Sequence, residues 1–330
     1  MRFENFDMKK IVGIGNALVD VIVQITDERL FQEFSLKKGG MEMIDKHTKR
    51  KIHNHIQHLD LKIASGGSTA NTIHGLARLG AETGYIGKIS EDQMGNFFKT
   101  DLLHSNITPH LIFSSNDTGI ATTFMTPDAE RTFATYLGAA AELLPEDIDD
   151  DIFTNYQYIH VEGYLIFNHK VIEHICQQAK KQGLTISMDM ASFNVMEENR
   201  DFMRYLLENF VDIILGNEEE AKALTGKEEK EALDVLSQYC DISVVKLGKR
   251  GSLVKIDNTT YDIPAVGGDC IDANGLGDIY AAGFLYGLMN HYTPQQSGYI
   301  ASYLANELGN TMGAKLSDTQ WENVKKELFI

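Results

Sequence analysis

Two hydrophobic rhythms alternate along this chain. Short runs rich in apolar and β-branched residues fall at 11–15, 85–89, 158–161, 184–188, 213–215 and 242–247. Between many of them lie amphipathic stretches, at 70–80, 94–104, 170–182 and 230–239. An unbroken apolar run suits a strand buried on both faces, and a helical period suits the element that covers it. Their alternation predicts βαβ units: an α/β fold with a mostly parallel sheet flanked by helices. Three helical stretches close the chain, at 279–289, 294–311 and 318–328. In the last of them Trp321, Val324 and Leu328 form a narrow apolar stripe suited to docking.

Two stretches break this rhythm. Residues 20–25 alternate apolar with polar, and 118–137 (TGIATTFMTPDAERTFATYL) reads as two strands around a Pro-Asp-Ala-Glu turn. Alternation marks half-exposed antiparallel strands. The expectation is a small β-sheet lid built from two insertions, about 17–45 and 112–138, on one domain spanning 1–330. No Pro/Ser-rich linker, low-complexity tract or internal repeat divides the chain.

Composition narrows the classes of function. At 330 residues the chain can bury a large core. Its formal net charge of -17 argues against a nucleic-acid or anionic-membrane footprint, so an anionic substrate would need local donors and a metal ion. Cys176, Cys240 and Cys270 are odd in number and form no CxxC, which points to a reducing compartment. The N-terminus lacks the apolar run of a signal peptide and no segment reaches 18 uninterrupted apolar residues, so a cytoplasmic protein is expected. Translation from Met1 or from Met8 stays open. His47, His53, His55 and His58 crowd one polar stretch, but no second ligand cluster accompanies them and an exposed helix explains them.

One motif suggests phosphate chemistry. Asp272-Ala-Asn-Gly-Leu-Gly-Asp278 opens the small-residued helix IYAAGFLYGLM. A helix N-terminus offers backbone N–H groups and a favourable dipole to an anion, and Gly275 and Gly277 let the backbone approach it. Asp278 repels phosphate, which makes sense if it takes a proton from an attacking hydroxyl. An ordinary acidic first turn explains the same residues. The P-loop pattern is absent, since GKIS, GKEE and GKRG each fail after the lysine. VGIGNALVD carries Leu18 where a dinucleotide fingerprint needs its third glycine.

Four further features fit around this motif. Gly15-Asn16-Ala-Leu-Val-Asp20 places polar groups beyond the first strand, where open α/β sheets bind ligands. Ser65-Gly66-Gly67-Ser68-Thr69-Ala70-Asn71 leads into a helix with backbone and an amide exposed. Gly216-Asn217-Glu218-Glu219-Glu220 follows an apolar strand, and Lys246-Leu-Gly248-Lys-Arg-Gly251 joins two strand-like runs. Taken singly, each has an ordinary structural explanation: a loop, a capped helix, an acidic turn, a hairpin.

Together, and in this order from about residue 11 to about 316, they resemble the ribokinase-type (PfkB) family of sugar and nucleoside kinases. SGGSTANTIHGLARLGAETGYIGKISED looks like the family's first signature and Asp272–Asp278 like its second, usually Asp-Thr-x-Gly-Ala-Gly-Asp. GNALVD and TPDAERTFATYLGAA look closest to the adenosine-kinase-like branch. The resemblance implies a Rossmann-like core with a β lid and transfer of the ATP γ-phosphoryl to a primary hydroxyl of a nucleoside or furanose sugar. Asp278 would be the general base, and Gly275, Leu276 and Gly277 the anion hole. Asn16, Asp20, Gly66, Gly67 and Asn71 would meet the small-molecule acceptor. Asn217, Lys246, Gly248, Gly251 and Asn306 would meet the nucleotide, and Glu220 would hold Mg²⁺ through water. Arg131, in the lid turn, would reach the transferred phosphate, with a surface pair to Glu130 or Asp128 as its alternative; Lys88 is similarly open.

Two departures bear on turnover. Ala273 replaces the family's threonine, and Leu276 replaces a small residue in the anion hole. They leave a monovalent-cation site near Asp272 open. A fructose, ribose or keto-deoxy-sugar kinase, and a binding protein that has lost phosphoryl transfer, are the competing readings. Both a monomer and a homodimer paired through the lid are compatible with the chain.

Overall fold

Period-two and period-3.6 patterning resolve into two sheets of unequal size. The computed structural model describes residues 9–128, 130–268 and 270–328. Its strands are β1 (Ile11–Ile14), β2 (Leu18–Gln24), β3 (Met41–Met43), β4 (Leu61–Gly66), β5 (Thr83–Ser90), β6 (Ile107–Ser114) and β7 (Gly119–Met125). There follow β8 (Arg131–Tyr136), β9 (Tyr158–Val161), β10 (Thr185–Asp189), β11 (Ile213–Asn217), β12 (Ile242–Lys246), β13 (Ser252–Ile256) and β14 (Thr259–Ile263). The large sheet runs β14-β13-β12-β11-β10-β9-β1-β5-β6. All its pairings from β12 to β6 are parallel, and β13 and β14 add an antiparallel edge.

Alternate residues of one strand feed opposite sides of this sheet. Ile213 and Leu215 join one core cluster while Ile214 joins the other. That is why the central strands read as unbroken apolar runs. Strand order reverses at β1, which lies between β5 and β9. A crevice opens outside the carboxyl ends of the strands at such a reversal. No helix among the described residues is long and apolar enough to cross a membrane.

The small sheet runs β3-β8-β7-β2-β4 and corrects the expected lid in two respects. Its chain segments differ: residues 112–114 belong to β6 of the large sheet, and β4 enters from beyond residue 45. β4 gave no alternating signal because its residues 61–64 are all at least partly exposed. The pairings differ as well, since β2 lies parallel to β7 and β3 parallel to β8. Only β2–β4 and β7–β8 are antiparallel. β4 runs straight into the SGGSTAN segment, so this sheet and the crevice share a boundary.

Four helices pack together beneath the crevice. Leu276–Met289 is buried along nearly its whole length, and the last helix docks through Trp321, Val324 and Leu328 as its stripe predicted. Leu276–Met289 meets helix Ser68–Arg78 where Gly75 faces Ala282; a methyl group on Gly75 would stand 2.7 Å from Ala282 Cβ. On its other flank Gly283 faces helix Pro294–Gly309, and a methyl group there would lie 2.8 Å from Ala301 Cα and 2.9 Å from its nitrogen. Backbone cannot yield as a side-chain tip can. Gly283→Ala is therefore expected to lower stability by about 1–3 kcal/mol through overpacking. Gly268→Ala, which meets nothing within 4 Å, should stay within about 0.5 kcal/mol of the parent in chemical denaturation.

Candidate active site

Parallel strands deliver polar residues to the crevice from their carboxyl ends. Asn16 follows β1, Glu162 follows β9, Asp189 ends β10, Asn217 ends β11 and Lys246 ends β12. Glu162 is buried: its Oε1 accepts from Asn16 Nδ2 at 2.6 Å and its Oε2 from the Thr69 N–H at 3.3 Å. Burial pushes its carboxyl up to about 8. Asn16, expected at the acceptor, is thus held by Glu162 behind the Gly66–Gly67 loop. Gly67 has φ +94 and no room for a Cβ, which would fall 2.3 Å from the Asn16 carbonyl oxygen.

Asp278 stands in the first turn of helix Leu276–Met289, whose N-cap, Gly275, is left-handed at φ 73. The first N–H groups of a helix have no carbonyl four residues back to meet. Here they belong to Leu276, Gly277 and Asp278; the Leu276 N–H makes only a long contact, 3.4 Å, with Ala273 O. Lys246 Nζ lies beside Gly277, at 3.0 Å from where a Cβ would be. The bulk of Leu276 is accommodated by Gly309 on the neighbouring helix, whose added Cβ would sit 3.7 Å from Leu276 Cδ2. The departure from a small residue therefore leaves the backbone of the turn intact.

The Asp278 carboxylate is gripped from helix Ser68–Arg78. Asn71 Nδ2 donates to its Oδ2 at 2.9 Å, and Ser68 Oγ lies 2.8 Å from its Oδ1. The same Ser68 Oγ lies 2.7 Å from Asp189 Oδ2. Desolvation raises Asp278 to about 6, with the Asp189 charge adding and Asn71, Ser68 and Lys246 opposing. The Asn71 side-chain oxygen is buried and has no partner among the described residues, leaving an acceptor directed away from Asp278.

On the small-sheet side, Asp20 packs against Gly66, where a Cβ would collide with its carboxylate at 2.3 Å. Burial raises Asp20 to about 7, offset by the Lys315 and Arg131 charges. Lys315 donates to Asp101 at 2.7 Å and to Ser65 Oγ at 2.5 Å, tying the late chain to β4. A cavity of about 350 Å³ continues along this face, lined by Ile22, Gln24, Lys62, Met125, Arg131 and Met312 among others.

A second cavity, also about 350 Å³, lies on the other side of the 272–278 segment. Asn217, Lys246, Gly248, Gly251, Cys270, Ala273, Leu276, Gly277 and Asn306 line it, which unites the residues expected at a nucleotide. Gly248 and Gly251 take φ of 57 and 91 around the β12–β13 turn. Asn306 lies against Gly267, where a Cβ would meet its Oδ1 at 1.7 Å. Asn217 and Glu220 form a reciprocal cap: Asn217 N–H and Nδ2 donate to the two Glu220 oxygens at 2.8 and 2.7 Å, and Glu220 N–H returns to Asn217 Oδ1 at 2.9 Å. Each carboxylate oxygen keeps a lone pair for water. That donor set fits Mg²⁺ held through its hydration shell, and no cage of three or more His, Cys, Asp or Glu side chains exists among the described residues.

Arg131 and Lys88 both find carboxylate partners. Arg131 pairs with neither Glu130 nor Asp128; its guanidinium, nearly buried, bonds Asp272. Asp272 also accepts the Gly313 N–H at 2.6 Å and the Asn274 N–H at 3.0 Å. In this arrangement Arg131 grips the start of the 272–278 segment through one nitrogen, while its Nη1 has no partner among the described residues. Lys88 is structural: its ammonium donates to Asp147 at 2.6 Å and to Glu142 O at 2.8 Å. Glu162, Asp189 and Lys315 escaped the sequence reading. The first two had a signal, an acid at or just after a strand of the parallel sheet; Lys315 had none.

Known proteins resemble this chain in sequence and fold. A model described as pfkB family carbohydrate kinase matches residues 41–320. The 5-dehydro-2-deoxygluconokinase of Geobacillus thermodenitrificans is 30% identical over 244 residues, 68% of this chain and 72% of that protein. The structure of adenosine kinase from Sinorhizobium meliloti matches at 28% identity with a TM-score of 0.87, over 97% of this chain and 99% of that one. A probable sugar kinase from Rhizobium etli matches at 26% identity with a TM-score of 0.88, over 98% and 99%.

The raised Glu162 carboxyl generates a stability prediction. The folded state holds its proton up to about pH 8, whereas the unfolded chain releases it near 4.5. Below 4.5 both states are protonated; above it folding must retain a proton that the unfolded chain loses, so stability declines until about pH 8. Glu162→Gln removes that decline. Partly buried His74 and fully buried His160, lowered to about 3 and 4, act oppositely but equally in both proteins. The melting temperature of the variant relative to the parent should rise steadily from pH 5 to 8; a constant difference would contradict the assignment.

Proposed function

Because the chain belongs to the pfkB family of carbohydrate kinases, and so is a phosphotransferase acting on hydroxyl groups, we propose that it moves the γ-phosphoryl of ATP to a primary hydroxyl of a sugar or nucleoside. The observation that carries this reading is the placement of Asp278. It ends a segment with one cavity on the lid side, through Arg131 and Gly313 at Asp272, and another on the nucleotide side, through Ala273, Leu276 and Gly277. Asp278 follows Gly277 of the second cavity's wall, with its carboxylate turned to Ser68 and Asn71, so a base there would take a hydroxyl's proton beside a phosphate held at the helix start.

The acceptor lies along the small sheet. Asp20 and the free Asn71 oxygen accept from its hydroxyls, and the Gly66–Gly67 backbone permits close approach. Asp278 removes the proton of the attacking hydroxyl as the oxygen–phosphorus bond forms. The N–H groups of Leu276, Gly277 and Asp278, with the Lys246 ammonium, receive charge on the transferred group in a site from which the lid excludes water. Asn217 and Glu220 would hold Mg²⁺ through water, and the ion would supply charge neutralisation on the nucleotide phosphates. The lid insertions and the α/β core form one kinase domain.

Among acceptors we favour a sugar or sugar acid. Among the described residues, those lining the lid-side cavity include Gln24, Asp60, Lys62 and Arg131 and no aromatic ring; a purine gains most from stacking on one. The relatives named 5-dehydro-2-deoxygluconokinase support the same choice. The adenosine kinase of S. meliloti, matched over nearly its full length, supports a nucleoside as second reading.

Coupled ADP release with Mg-ATP and a panel of adenosine, ribose, fructose and keto-deoxy-sugar acids tests the choice. One acceptor is expected to turn over. Asp278→Asn should reduce kcat about 10²–10⁴-fold while ATP still raises the melting temperature. Near-normal turnover by that variant would reject Asp278 as the base. ATP stabilisation without ADP release on any acceptor would favour a binding protein.

A further inference from the structure

Ser68 stands between two carboxyl groups, and its hydrogens do not suffice. Its Oγ is 2.7 Å from Asp189 Oδ2 and 2.8 Å from Asp278 Oδ1. A hydroxyl donates one hydrogen. Two hydrogen bonds in this three-oxygen line need a second, and the only groups able to carry it are the carboxyls. Both bonds form only when one of the carboxyls holds a proton, the state reached once Asp278 has taken one from an attacking hydroxyl.

Asp189 is built to face this position. Its Oδ1 accepts from the Gly163 N–H at 3.0 Å and the Ala191 N–H at 3.1 Å. Ala191 takes φ 60, a conformation that residues with a Cβ seldom adopt. Gly163 leaves space that a Cβ would fill, at 2.8 Å from Asp189 Oδ1. Two backbone donors on one oxygen orient the other oxygen toward Ser68. The Asp189 side chain also borders water, being only partly buried.

We propose that Ser68 and Asp189 complete the base by carrying the proton away from Asp278. The proposal rests on the reading of Asp278 as general base. After transfer, Asp278 holds the acceptor's former hydroxyl proton. It gives this proton to Ser68 Oγ while Ser68 passes its own hydrogen to Asp189 Oδ2. Asp278 is again a carboxylate, Ser68 is unchanged, and Asp189 releases the proton to water. Ser68 and Asp189 are thus positioning and relay residues.

Other charges surround the pair. Asp20 and Lys246 act on Asp278. Lys246 and Asp189 act on His160, which burial holds neutral, and Asp189 also acts on Glu162, Tyr164 and Glu220. Asp20, Lys246, His160, Glu162, Tyr164 and Glu220 are all kept in the variants below, and the Asp278→Asn difference separates the Asp278 band from theirs.

The test needs no acceptor in its first arm. Infrared difference spectra of the protein alone follow the C=O stretch of protonated carboxyls against pH, and Asp278→Asn identifies the Asp278 band. Asp189→Asn keeps the bonds to Gly163 and Ala191 but removes a negative charge, so the band should vanish about one pH unit lower. Ser68→Ala removes a donor from Asp278, so the band should persist to higher pH. In the second arm, the acid limb of kcat should move in the same two directions with adenosine, ribose, fructose or a keto-deoxy-sugar acid, whichever turns over, and kcat should fall about 10-fold or more. An unmoved band and an unmoved limb in both folded variants overturn the relay, even where Asp278→Asn is inactive. Activity in Asp278→Asn overturns the base itself.

Discussion

The site depends on how closely two helices can approach. Gly75 against Ala282 brings the axis of Ser68–Arg78 near that of Leu276–Met289, and so Ser68 and Asn71 reach the Asp278 carboxylate. Two demands meet there. Burial disfavours a charged carboxylate, while the helix N-terminus and the two donors favour it. The balance leaves Asp278 near 6: ionised at neutral pH, yet more basic than an exposed aspartate. A wider separation would remove the donors and leave burial to dominate.

The same economy of space appears on the nucleotide side. Leu276 would crowd a tightly packed turn, but Gly309 opens the neighbouring helix beside it. Its side chain points into the cavity wall while its N–H stays at the helix start. On the lid side, the Arg131–Asp272 pair joins β8 to the beginning of the same segment. Such a pair, once buried, is costly to break from one side only. The position of the small sheet and the conformation of 272–278 are therefore mechanically linked.

Most of the large sheet was legible because its strands are buried on both faces and its helices on one. β6 was not, since an edge strand is half exposed and ITPHLIFS keeps no period. β4 was missed for a related reason, and the lid boundary was misplaced with it. Within the site, the glycine-rich motifs could be seen as contiguous text, because backbone geometry must be encoded locally. Asp189 and Glu162 are single residues whose meaning comes from parallel registry: β9 lies between β1 and β10, which brings Glu162 to Asn16 and Asp189 to Gly163. The Arg131–Asp272 pair could not be foreseen, because an ion pair across 141 positions leaves no trace in local composition.

The distribution of sulfur has a practical side. Cys176 and Cys240 are buried in the core, whereas Cys270 is exposed and lines the cavity assigned to the nucleotide. Alkylating reagents therefore find one address on the native chain, and it lies in the wall of that cavity. A maleimide dye placed there would act as an optical gauge of occupancy without any engineered label. The same geography makes Cys270 the natural anchor for a covalent ligand aimed at the proposed nucleotide cavity.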